Sequence, residues 1–268
     1  MTTRDTTRDD PHGLDDRTSL RHLGRHAAAI LVPALYVWLG LPFWGVMLIP
    51  LGIALASLAK VQHWCSHQTA FKTSWLNDLV GQFTGLILFQ PYRWSRLDHF
   101  EHHRQRNRGQ RTMLDELPET EGELVLYLSG LSTWRDKLNT LFENAGGLEE
   151  SEFIRQENFR TLRREAQLML LFYVYAAAFT IFVWSVLFWV WLAPLVIGVA
   201  FVRLFDLAVS RGMFENAQNG PVLRIVRFLF WNDMYRAEHY AMPNVPFQRL
   251  PDTRGETPPV VEQAPALA

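Results

Sequence analysis

Residues 27–67, AAAILVPALYVWLGLPFWGVMLIPLGIALASLAKVQHWCSH, decide the fold. From Ala27 to Ala59 there is no Asp, Glu, Lys or Arg; then Lys60, His63 and His67 follow in quick succession. About 20 apolar residues cross a bilayer as a helix. The run is therefore long for one span, and Gly40-Leu41-Pro42 interrupts it near its middle. A helical hairpin fits better than one overlong helix. A soluble core helix would carry a polar face, and this run carries none.

The pattern returns once. Ala166 to Val202 is also free of charge, with candidate breaks at Ser185 or at Leu192-Ala193-Pro194. The expectation is an all-α membrane protein: two transmembrane helical hairpins with a helical cap. Arg4, Arg8, Arg17, Arg21 and Arg25 precede the first run, and Lys60, Lys72, Arg93, Arg96 and Arg104 follow it. Arg203, Arg211, Arg224 and Arg227 follow the second, while the hairpin tips carry no Lys or Arg. The positive-inside rule then puts both termini and the cap on the cytoplasmic side.

Six of the nine histidines lie in three groups just beyond these runs: His63 and His67 in HWCSH, His99, His102 and His103 in HFEHH, and His239 in RAEHY. Residues three or four apart share a helix face, so each of the first two groups offers two imidazoles to one ion. Neutral imidazole is a common ligand for transition metals, oxygen-activating iron included, and coordination satisfies ring nitrogens that apolar surroundings would otherwise strand.

The rest of the chain frames these groups. A net charge of -1 and a pI near 6.8 give no reason to expect a nucleic-acid partner. Residues 1–25 read as a polar, mobile tail without the apolar centre of a signal peptide, residues 26–251 as one domain, and 252–268 as a disordered tail. Cys65, the single cysteine, excludes an intrachain disulfide and reads as a small buried filler. Asp78 to Gln90 suits an interfacial helix. Asp115 to Arg164 is amphipathic, with LVLYLSGLSTWRDKLNTLF as its helical part and Gly146-Gly147 as its break. Trp134 and Leu141 suit a helix face on the membrane or cap rather than a cofactor site.

HWCSHQTAFKTSWLNDLVGQ, DHFEHHRQRN, WNDMYRAEHYAMPNVPFQRLP and the intervening LYLSGLSTWRDKL resemble the bacterial integral-membrane fatty-acid desaturases, within the wider desaturase and hydroxylase superfamily. The likeness runs from about Gly24 to Pro251. It implies a cytoplasmic helical cap whose histidine boxes hold two irons. The implied reaction is oxygen-dependent desaturation or hydroxylation of a membrane lipid or acyl thioester. Electrons would come from a redox protein such as a ferredoxin or cytochrome. No catalytic residue beyond the metal ligands is implied.

Carried over box by box, the resemblance assigns His63 and His67, then His99, His102 and His103, as ligands. In the third box, Arg236, Ala237, Glu238, His239 and Tyr240 stand where the family has H-x-x-H-H, and only His239 survives. A further family histidine aligns with Ser210. Trp64 stands where relatives usually have Glu, and Gln105 replaces a frequent histidine. Serine is a poor ligand and a guanidinium is none. Beside a dication, Arg236 would meet roughly 4 kcal/mol of repulsion per unit charge pair at 4 Å and an effective dielectric near 20. Asp206, Glu101, Glu215 and Tyr240 are candidate substitute ligands, and Glu238 a candidate orienting group. Two readings stay open: a desaturase or hydroxylase with an altered metal site holding two irons, one or none, and a non-catalytic desaturase-like scaffold, partner or lipid binder.

Overall fold

The computed structural model describes residues 13–109, 117–214 and 220–254, and every regular element among them is helical. Helix α1 spans Asp16–Trp38. It starts inside the stretch expected as a mobile tail because Asp15 caps it, accepting from the backbone N–H groups of Arg17 and Thr18. Asp16 then accepts from the backbone and hydroxyl of Thr73, and Ser19 from Gln248. These contacts hold the start of α1 against the folded body.

The break at Gly40-Leu41-Pro42 is present, closed by a left-handed Phe43 and by the Tyr36 hydroxyl donating to Pro42 O at 2.8 Å. Beyond it α2 (Trp44–Ala56) and α3 (Leu58–Ser66) run nearly end to end through Ser57. In the second apolar run, α8 (Gln156–Phe182) ends before Ser185. A π-helical turn at Phe188–Leu192 then leads into α9 (Ala193–Ser210). Leu192-Ala193-Pro194 is not the break: Pro194 sits in the first turn of α9, where its missing N–H is tolerated.

Among the described residues, three helices are long and apolar enough to cross a membrane: Trp44–Ser66, Gln156–Phe182 and Phe188–Ser210. Outward-facing Leu168, Leu171, Val174, Tyr175, Ile181 and Phe182 clothe α8 in apolar surface. Helices α2 and α9 meet backbone to backbone. A Cβ on Gly52 would lie 2.2 Å from Pro194 O, and one on Gly198 would lie 1.9 Å from Gly52 O. Small residues permit this approach between apolar helices.

The remaining α-helices are α4 (Ser74–Ile87) and α5 (Tyr92–Asn107), which pack on α3, α6 (Glu121–Ser129), which packs on α9, α7 (Leu131–Gly146), which packs on α8, α10 (Pro221–Leu229), which touches α1, and α11 (Arg236–Ala241). The stretch expected as one helix, LVLYLSGLSTWRDKLNTLF, is broken at Gly130, whose φ of 71° closes α6 and whose missing side chain admits Val199 of α9. Trp64, Phe71, Tyr92, Trp231 and Phe247 fill the core between α3 and the C-terminal segment, with Cys65 buried among them. His26 locks that core: Trp231 donates to its Nδ1 at 3.0 Å, which leaves Nε2 to donate to Ala54 O at 2.9 Å.

Candidate metal centre

Helix α3 and its cap residue present His63 and His67, α5 presents His99 and His103, and α11 presents His239. One ring nitrogen from each of these five lies within 4.8 Å of the other four. The Nε2 atoms form a continuous series: His63 to His239 at 3.0 Å, His239 to His103 at 3.3 Å, His103 to His99 at 3.1 Å and His99 to His67 at 2.6 Å. Helical i, i+4 spacing delivers the pairs on α3 and α5. His239 comes from across the chain.

Burial, and after it the charge of His63, holds the pKa of His67, His99 and His239 far below the usual histidine value and that of His103 at about 4. These four rings are therefore neutral at pH 7. With His63 they make five imidazoles whose nitrogens face one point, a donor set suited to a transition-metal cation.

His63 is also held from behind. Its Nδ1 donates to Asp233 Oδ1 at 2.9 Å, which leaves Nε2 as the lone-pair nitrogen facing the group. Burial alone would raise the pKa of Asp233, yet Lys60 and the His63 hydrogen bond bring it well below the carboxylate range. Lys60 Nζ stands 2.9 Å from Asp233 and 2.7 Å from Asp206. Arg236 closes the network, at 3.0 Å from Asp206, 3.0 Å from Ser210 Oγ and 3.8 Å from Asp233. The guanidinium thus faces carboxylates and not the imidazoles.

The other sequence candidates lie outside the five-histidine group. His102 Nε2 is 3.0 Å from the hydroxyl of Tyr240, whose ring also packs under Arg106. Asp206 belongs to the ion-pair network, and Glu101 is bound by Arg104 and Gln105. Glu215 lies outside the described residues. The orienting part considered for Glu238 is played at His63 by Asp233.

A cavity of about 350 Å³ adjoins the group, lined by His63, His99 and His102 together with Leu88, Trp134 and Lys137. Trp134, expected on an outer helix face, is corrected to a cavity wall because it packs edge-on to Phe89. Leu141, its expected companion, is buried between α7 and α8. Sequence reading missed Asp233, Lys60 and Lys137 as parts of the site. The ND within WNDMY and the lone lysine before HWCSH were their only signals.

The sequence has been compared with known proteins. The fatty acid desaturase family profile matches residues 36–266. An sn-1 oleoyl-lipid 12-desaturase of Anabaena variabilis is 30% identical over 82 residues, covering 27% of this chain and 23% of that protein. An sn-1 acyl-lipid omega-3 desaturase (ferredoxin) of Nostoc sp. (strain 36) is 36% identical over 67 residues, covering 25% and 18%. A 12-desaturase of Arthrospira platensis is 32% identical over 76 residues, covering 26% and 22%. The matched part thus spans less than a quarter of each relative's length. With the profile covering most of its length and a buried histidine cluster at its centre, the chain belongs to the fatty acid desaturase family.

Proposed function

We propose that the protein is an oxygen-dependent acyl-lipid desaturase or hydroxylase whose altered site holds a single iron. The observation that carries this reading is the convergence of five imidazole nitrogens, one of them on a ring oriented by Asp233. Ligands on opposite sides of an ion lie about 4.2 Å apart when each bond is about 2.1 Å, so a group 4.8 Å across matches one coordination shell. Two-metal centres hold their ions about 3.5–4 Å apart and need a wider ligand set. Here His102 turns to Tyr240, and Lys60 and Arg236 already supply positive charge behind His63. Asp206 and Asp233 are occupied there as counter-ions and are not free to bind a second ion.

When bound, the iron would supply oxygen activation and redox chemistry. The chain's own residues do the rest. Asp233 keeps the proton on His63 Nδ1 and the lone pair on Nε2. Lys60 and Arg236 keep Asp233 ionised. Leu195, Val199 and Val202 give the cavity an apolar wall.

A membrane-lipid acyl chain is the substrate favoured over an acyl thioester, because the relatives from Anabaena variabilis and Nostoc are acyl-lipid desaturases, and a ferredoxin is the favoured donor over a cytochrome, as in the Nostoc enzyme. The topology proposed is two hairpins, α1 with α2–α3 and α8 with α9. The other helices form a cytoplasmic cap, and both termini face the cytoplasm of a bacterial inner membrane.

One observation favours the second reading, a non-catalytic scaffold or lipid binder. Ser210 and Arg236 are joined with Asp206 in an ion-pair network where the family resemblance calls for ligands. Metal analysis of detergent-purified protein separates the readings. One iron per chain is the expected result, two would overturn the single-ion count, and none after iron-supplemented expression would favour the scaffold. Lipid profiling in a host without desaturases should then reveal an unsaturated or hydroxylated acyl product.

A further inference from the structure

Helix α7 puts three hydrogen-bond donors on the wall of the same cavity that His63, His99 and His102 line: Thr133, Trp134 and Lys137. The spacing i, i+1, i+4 brings Lys137 one turn from each of the other two. Thr133 Oγ and Trp134 Nε1 are buried and have no hydrogen-bond partner among the described residues. Lys137 Nζ donates to Leu88 O at 3.0 Å and to Gln90 Oε1 at 2.7 Å, both uncharged acceptors, and no carboxylate pairs with it among the described residues. An ammonium has three donors, so one more is available. Burial pushes the pKa of this amine down to about 7. Elsewhere on the cavity wall Lys60 is paired with Asp206 and Asp233, and Arg203 donates to Tyr127 O and Ser132 and lies over the Tyr127 ring. What sets α7 apart on this wall is a cation beside two buried donors that have no partner among the described residues.

Unpartnered donors in a buried wall destabilise a fold unless something accepts from them. One ammonium beside two neutral donors matches an acceptor of single or partial negative charge. We infer that Lys137, Trp134 and Thr133 form a subsite for the carbonyl or carboxylate oxygens of an acyl ligand, so that the ligand's polar end lies inside the protein in the histidine-lined cavity. The inference rests on the acyl-oxidising reading above and deepens it.

Equilibrium binding to the full-length protein in lipid nanodiscs tests this, with decanoate, methyl decanoate and decane as probes and iron measured on the same samples. Decanoate and methyl decanoate should show displaceable binding, and decane should not displace them. Lys137→Met should weaken decanoate binding about tenfold or more. A larger loss for the acid than for the ester identifies a free carboxylate as the natural group, and equal losses identify an ester carbonyl. Thr133→Val and Trp134→Phe should each weaken binding about threefold while Tm stays level or rises, because each removes a buried donor that has no partner among the described residues. A purely structural role would lower Tm and leave affinity alone. Unchanged affinity in all three folded variants, or equal competition by decane, overturns the subsite. Lys137-dependent decanoate binding in protein that never takes up iron keeps the subsite and removes the oxidising function.

Discussion

At His63 the two ring nitrogens have separate tasks, Nδ1 donating to Asp233 and Nε2 facing His239. Asp233→Asn should therefore lower iron affinity about 10- to 100-fold in competition with a chelator, the usual effect of removing a carboxylate behind a ligating imidazole. Lys137 gives a pH signature. Its pKa is about 7 in the fold against 10.5 in the unfolded chain, so between those values the unfolded state binds more protons and stability rises with pH. In Lys137→Met, thermal denaturation followed from pH 7 to 10 should lose that rise. The histidines were legible in the sequence because i, i+4 spacing is local. Asp233 and Lys60 were not, since each acts on a partner far away in the chain: His63 and Asp233 are separated by 170 positions, Lys60 and Asp206 by 146. No periodicity reports such a pairing.

Among the helices, the α2–α9 contact sets the spacing of the whole assembly, because α2 continues into the histidine-bearing α3 and α9 carries Asp206. Gly198→Ala would drive a methyl group into Gly52 O. It should cost about 1–3 kcal/mol, the range for overpacking, seen as a lower Tm in detergent. A similar loss is expected for Gly52→Ala, whereas Gly45→Ala, with open space around it, should be neutral. The breaks show what sequence can report about elements. Gly40-Leu41-Pro42 carried two strong turn residues and was readable. Gly130 stood alone inside an otherwise helical pattern, and its role depends on Val199 of a distant helix. The early start of α1 depended on Asp15, whose capping role is hard to tell from the acidic residues around it.

Across the molecule, the candidate ligands come from three separated segments, and the last of them rides on a six-residue helix. A helix so short is not stable by itself; α11 is held by what it packs against. Iron binding should therefore protect the C-terminal segment. Limited proteolysis after chelation is expected to cut first beyond Ser210, and iron should slow that cleavage; equal rates with and without iron would show that the segment docks independently of the centre. His63 and His239 stand 176 positions apart and their nitrogens meet at 3.0 Å. The lone Cys65 cannot form an intrachain disulfide. An ion shared by those two rings would thus be a removable clasp, closing a loop that takes in most of the polypeptide and restricting the unfolded chain as a covalent cross-link would. Iron supply would then govern the protein's lifetime in the membrane as well as its chemistry.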